Sequence, residues 1–313
     1  MLRLPRFLVA AGLVLVIAIG LYATGLLDGE ELAGIACNGS ERLCDRTLDQ
    51  VAFAATHNSM SAADQVGWKL TQQERGIPAQ LDAGIRGLLI DMYYAAKTRR
   101  GIQNLPKRQI GLVGEVYLCH AVCGLGATSA PDALRGVRDF LHEHPHEVLV
   151  FSIEDHVRPE DIARAFEQSG LARYVWRGSL GPGRFPTLRE MIDKNQRVVV
   201  MAENETGHVP WLHAQFDLVQ ETPYRFGSPA EVAARSSCRP NRGGVRNPLF
   251  LLNNWVDTSP FPQARNAAIV NAFGTLLRRA RTCARLRQRL PNLVAVDFFE
   301  EGDVVGVVRV LNR

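Results

Sequence analysis

The chain has 313 residues, 46% hydrophobic and 22% charged, with a formal net charge of +4. That fits one large globular domain or two small ones, with a core sizeable enough that disulfides are not needed for basic stability. The positive excess is mild and comes largely from arginines in stretches such as Leu277-Arg278-Arg279-Ala280-Arg281. No aromatic-interleaved basic stripe, internal repeat or low-complexity tract is present, which argues against a nucleic-acid partner.

In chain order, Arg3 and Arg6 precede an uncharged apolar run over residues 7–27. Signal-peptide cores usually have about 7–15 apolar residues, whereas a bilayer span needs about 20. Residues 1–27 are therefore expected to form an N-terminal transmembrane helix, with a cleaved signal ending near Leu21-Tyr22-Ala23 as the alternative. Either way the rest of the chain is exported: membrane-anchored with its domain on the extracytoplasmic side, or secreted where the segment is cut. Residues 28–48 form a disulfide-prone lead-in, and residues 49–313 the main domain. The six cysteines agree with an oxidising compartment. Nearest-neighbour pairing gives Cys37–Cys44, Cys119–Cys123 and Cys238–Cys283, although sequence leaves the pairing open. A zinc site on Cys119, His120 and Cys123 is the rival, and it lacks an obvious fourth ligand.

Strand-like and helical runs then alternate. Residues 51–56, 84–91, 116–120, 147–154, 197–203, 248–255 and 293–298 read as strands. An irregular strand is expected near Tyr224-Arg225-Phe226, within the poorly patterned stretch 209–247. A short helical turn opens at Pro78. Ser129 and Pro131 start a helix whose apolar stripe is Leu134, Val137, Phe140 and Leu141. Further helices are expected from Pro159 through Phe166, from the cap Thr187 through Ile192, over 264–289 and over 304–311. Strand-then-helix repetition implies a parallel sheet with right-handed crossovers. Seven or eight strands fit an α/β fold of the TIM-type (β/α) barrel kind, regular or incomplete. A doubly wound open sheet usually shows a glycine-rich first turn, and none follows residue 56.

In such a barrel, chemistry sits at the C-terminal strand ends. Those ends carry His57 and Asn58, Asp91, His120, Glu154, Glu203 and Asp297. Two histidines across a pocket can serve as one base and one acid. Asn58, Asp91 and Glu154 are oxygen donors suited to a hard divalent cation. Asp297 ends the strand that lies beside the first in a closed barrel, so it can orient His57. His156 follows Glu154 and could support it.

These residues lie in motifs: Thr56-His57-Asn58-Ser59, Gln80-Leu81-Asp82-Ala83-Gly84-Ile85-Arg86, Leu118-Cys119-His120, His144-Pro145-His146-Glu147-Val148 and Val296-Asp297-Phe298. In that order they resemble the phosphatidylinositol-specific phospholipase C X-domain, within the PLC-like phosphodiesterase superfamily. The resemblance runs from Cys37 to the C-terminus and is most like the exported members, with a Cys-Asn-Gly segment and a Leu-Cys-His-x-x-Cys motif. It implies a barrel phosphodiesterase acting on a phospholipid or another phosphodiester. It makes His57 the general base, His120 the general acid and Asp297 the residue orienting the base. Asn58, Asp91 and Glu154 match metal positions, with calcium the implied ion. Where Asp91 stands, the metal-independent bacterial branch has an arginine.

There are departures. Leu89 stands where the metal-dependent enzymes carry an acid, which leaves Glu115 or another carboxylate as a substitute ligand. Ala121 replaces the glycine common after the second histidine. No lysines match those that hold extra inositol phosphates. The alternatives are a catalytically inactive, membrane-tethered phosphoinositol-binding module and a glycerophosphodiester phosphodiesterase. The latter usually shows Glu-x-Asp where this chain has Leu89-Ile90-Asp91. Oligomeric state is not legible.

Overall fold

The computed structural model describes residues 36–106, 115–258 and 262–313. The expected transmembrane segment, residues 1–27, lies outside them. Among the described residues no helix is long and apolar enough to cross a membrane.

The strands are β1 (Phe53–Thr56), β2 (Gly87–Thr98), β3 (Gly101–Asn104), β4 (Glu115–Leu118), β5 (Thr128–Ser129), β6 (Leu149–Asp155), β7 (Val198–Ala202), β8 (Leu212–Ala214), β9 (Val219–Glu221), β10 (Leu249–Asn254) and β11 (Leu293–Val296). Eight of them form a curled path in the order β8-β7-β6-β2-β1-β11-β10-β9, and every pairing along it is parallel. No pairing between β8 and β9 closes the path among the described residues, and the short helix Gln215–Leu218 links the two. The architecture is an α/β half-barrel of TIM-like type.

Side chains alternate between the two faces of a strand, and here both faces are buried. Ala54, Leu88, Ile90, Phe151, Val200 and Val294 pack outward with helix residues such as Leu134, Phe166 and Leu276. Phe53, Ala55, Val150, Met201, Leu251 and Ala295 pack inward, joined by Leu43 and Leu48 of the lead-in and by Leu188 and Met191 of the helix Leu188–Asp193. Thr187 caps that helix through Oγ1, which accepts from Glu190 N–H at 3.1 Å. The inward set is apolar at one end of the barrel. Extended by the same period of two, it becomes polar at the other.

Three expectations change. Residues 116–120 do not supply a barrel strand: β2 runs on past Asp91 through β-favouring Met92-Tyr93-Tyr94, and β4 pairs antiparallel to that extension. Tyr224-Arg225-Phe226 is not a strand; the ladder residues of the stretch 209–247 are those of β8 and β9. The single long helix over 264–289 is two, Ala264–Val270 and Phe273–Arg287. At the break, Asn271 turns inward. Its Oδ1 accepts from Asn254 Nδ2 at 2.9 Å, and its Nδ2 donates to Asp297 O at 2.8 Å. All three neighbour cysteine pairs are bonded. The Cys119–Cys123 bond removes both thiolates from the rival zinc site.

One glycine is set by close approach. A Cβ on Gly87 would lie 2.6 Å from Ala55 Cβ and 2.7 Å from Leu293 Cδ2. Overpacking a dense core costs about 1–3 kcal/mol. Gly87→Ala is expected to lower the urea midpoint by that amount of stability; an unchanged midpoint would show that the inner layer has slack.

Candidate active site

The first strand delivers Thr56-His57-Asn58-Ser59 as a braced turn. Thr56 Oγ1 donates to Gln80 Oε1 at 2.6 Å, and Gln80 Nε2 donates to Ser59 O at 2.8 Å. Asn58 sits at φ +46°, a left-handed conformation that asparagine tolerates better than most residues. Gln73 ties this turn to the last strand. Its Nε2 donates to His57 O at 2.8 Å and Val296 O at 3.1 Å, and its Oε1 accepts from Phe299 N–H at 3.1 Å.

β1 and β11 run side by side with Thr56 opposite Val296. The next residues, His57 and Asp297, therefore meet. His57 Nδ1 donates to Asp297 Oδ1 at 2.8 Å. With that proton on Nδ1, Nε2 presents a lone pair, and Asn58 Nδ2 donates to it at 3.2 Å. Trp255, just past β10, lies flat on the imidazole with ring centroids 3.8 Å apart and planes 2° from parallel. Burial pushes the Asp297 carboxyl upward, opposed by the His57 charge and hydrogen bond.

His120 arrives from the loop after β4, across the pocket. Its Nδ1 donates to Asp91 Oδ2 at 2.9 Å, and this bond raises its pKa above the ordinary histidine value. The geometry repeats that of His57 and Asp297: a buried aspartate, here within β2, holds one ring nitrogen and leaves the other for chemistry. Burial raises the Asp91 pKa, with nearby Glu154 adding to the effect and the His120 bond opposing it.

Asp91 and Glu154 are register partners on adjacent strands. Glu154 Oε1 accepts from His156 Nε2 at 2.8 Å, which lowers its pKa, and the His156 ring stacks on Tyr93 at 4.0 Å. Arg86 pairs with Glu147 at 2.6 Å and leaves Asp91 and Glu154 to the pocket. Among the described residues no three or more His, Cys, Asp and Glu side chains form a cation cage. The cavity wall carries two neighbouring carboxylates, Asp91 and Glu154; Asn58, expected as a third donor, is 1% exposed and not among the residues lining the cavity, with its side-chain nitrogen toward His57. Such a set suits a hard cation whose remaining positions are filled by water and phosphate oxygens. Leu89 adds an apolar wall, and Glu115 is exposed on β4, away from the cavity lining.

His57, Asp91, His120, Glu154 and Asp297 all line one cavity of about 470 Å³. Its other end carries residues that sequence reasoning missed. Arg242 Nη1 donates to Glu203 Oε2 at 2.6 Å and its Nε to Glu221 Oε1 at 2.6 Å. The guanidinium lies over the Phe216 and Tyr224 rings, at 4.5 and 4.8 Å. Burial drives Glu203 up to about 7 despite the arginine. Arg242 lies in a Gly- and Pro-rich loop without periodicity, so no local pattern marks it. Trp255 was visible at a strand end, but as an apolar residue it carried no chemical signal.

With this geometry in hand, the relatives can be placed. A PI-PLC X domain-containing protein of Arthroderma benhamiae is 27% identical over 293 residues, covering 89% of this chain and 90% of its own. A PI-PLC X domain-containing protein of Arabidopsis thaliana is 29% identical over 296 residues, and an uncharacterized secreted protein of Arthroderma benhamiae is 27% identical; this chain spans 62% of each of those two. A solved phosphatidylinositol-specific phospholipase C of Staphylococcus aureus superposes with TM-score 0.59 at 13% identity, over 86% of this chain and 95% of that one, which supports the fold. The PI-PLC X domain model, PI-PLC X 1, matches residues 43–312, and the chain belongs to that family.

Proposed function

We propose that this protein is an exported phosphodiesterase of the phospholipase C kind that cleaves a phosphatidylinositol-like phosphodiester. The observation carrying the proposal is the pair of histidine–aspartate dyads, His57–Asp297 and His120–Asp91, lining one cavity. His57 Nε2 takes the proton of a hydroxyl next to the phosphate. The freed oxygen attacks phosphorus, the bond to the glycerol oxygen breaks, and His120 returns a proton to that leaving oxygen. The raised pKa of His120 favours its protonated form at neutral pH, as a general acid requires. Asp297 holds the His57 tautomer and steadies the imidazolium that forms.

Asp91 and Glu154 would hold a divalent cation, calcium by preference, which supplies positive charge to the phosphoryl oxygens when bound; Asn58, outside the cavity lining, would brace His57 instead. Glu203, Glu221 and Arg242 offer hydrogen-bonding groups to the hydroxyls of a polyol headgroup. All the Arg242 nitrogens are engaged by the two glutamates, which disfavours a headgroup bearing extra phosphates. Export rests on the three disulfides and on a relative named as secreted. The apolar segment at residues 7–27 would tether the domain to the membrane, or release it once cut.

A second reading is favoured by Leu89, an apolar residue where metal-dependent relatives carry an acid. On that reading the pocket binds a phosphoinositol ligand without turning it over.

His57→Ala and His120→Ala are each expected to lower phosphatidylinositol cleavage by at least about a hundredfold with an unchanged melting temperature. Retained cleavage in either variant contradicts the two-histidine mechanism. Chelator is expected to abolish cleavage and calcium to restore it, with Asp91→Asn or Glu154→Gln raising the calcium needed. Full activity in chelator would remove the metal from the account.

A further inference from the structure

Three buried glutamines lie near the end of the first strand, and one of them differs. Gln73 and Gln80, both fully buried, use their carboxamides to hold backbone groups and Thr56. Gln72 is 5% exposed and lines the pocket, yet its Oε1 is turned away from solvent and has no hydrogen-bond partner among the described residues, so it meets a ligand only once the carboxamide turns. Its backbone is fixed on both sides. Gln72 N–H donates to Ser61 O at 3.1 Å, and Gln72 O accepts from Phe298 N–H at 2.8 Å. Those bonds place it between the ends of β1 and β11, beside His57 and Asp297 rather than at the Arg242 end.

A buried carboxamide without a partner carries an uncompensated desolvation penalty. An apolar side chain of similar volume would avoid it. Unsatisfied groups in a folded core need a reason, and a position on a pocket wall supplies one: the missing partner arrives with the ligand. The group suits a hydroxyl. An amide oxygen accepts from an O–H, whereas it repels the oxygens of a phosphate. The last torsion of a glutamine side chain is soft, so the carboxamide can turn toward the ligand at little cost.

We propose that Gln72 is a substrate-binding residue whose carboxamide accepts a hydrogen bond from a headgroup hydroxyl near the His57–Asp297 pair. The identity of the ligand rests on the phosphodiesterase reading. The competing explanation is local: an ordered water shared with Ser61 Oγ, which is also buried and unpartnered among the described residues, in which case Gln72 supports only the fold.

Gln72→Met separates them, because it keeps volume and removes both polar atoms. Wild type and variant would be titrated by calorimetry with inositol monophosphate and with inorganic phosphate, and melted in the absence of ligand. The expected result is a five- to tenfold weaker affinity for inositol monophosphate, roughly the loss of one hydrogen bond. Phosphate affinity should be unchanged and the melting temperature equal or higher. Equal affinity for inositol monophosphate overturns the proposal, as does a lowered melting temperature with both affinities reduced alike. Failure of the wild type to bind inositol monophosphate also overturns it. The broader reading would then still be decided by whether the wild type cleaves any phosphodiester.

Discussion

The alternation of side chains along parallel strands, combined with the register between β1 and β11, determines where the chemistry sits. Phe53 and Ala55 point inward with Leu293 and Ala295. Two further residues along each strand direction, the same face presents His57 and Asp297, and the register brings them within hydrogen-bond distance. Sliding one strand by a single residue would exchange its inward and outward sets. For β1 it would turn His57 toward the helices and put Thr56 or Asn58 in its place in the pocket. The apolar inner layer and the polar site are two ends of one pattern, so whatever holds the register also holds the base. Gln73 and Asn271 make that connection directly, since both side chains hold backbone at the end of β11.

Charge in the pocket is arranged by the same geometry. Asp91 and Glu154 face one another as register partners, and burial makes their joint ionisation unfavourable. His120 and His156 each hold one of them. At the far end, one arginine serves two glutamates. Carboxylates outnumber fixed cations along this cavity wall. A pocket of that kind suits a cation entering with a phosphodiester better than it suits a polyphosphorylated ligand, whose extra charge would meet carboxylates.

Much of this was legible in the amino-acid order. His57, Asp91, Glu154 and Asp297 were readable because short apolar runs end abruptly in a polar residue, as parallel strands buried on both faces do, although β2 itself continues past Asp91. Nearest-neighbour disulfide pairing was the preference among pairings that the sequence left open, and it is the one formed. Periodicity failed where tertiary contacts override it. Residues 116–118 form a perfectly good strand, but its antiparallel pairing depends on the length of β2, which no local feature sets. The break at Asn271 serves Asn254 and Asp297, both distant in sequence. Arg242 comes from an aperiodic loop, and the glutamates it binds, Glu203 and Glu221, are distant in sequence. His120 was rightly singled out, yet it reaches the pocket from a loop beside the barrel, positioned by Asp91 and not by a barrel strand of its own.

The central claim is that a hydroxyl neighbouring the phosphate is the nucleophile, activated by His57, with the glycerol oxygen leaving under protonation by His120. The most direct test is phosphorus NMR of the products formed from phosphatidylinositol. The account predicts a cyclic inositol phosphate as the first phosphorus-bearing product, with diacylglycerol released. Appearance of phosphatidic acid instead would mean that the other ester bond is cut, and would contradict the assignment of both histidines.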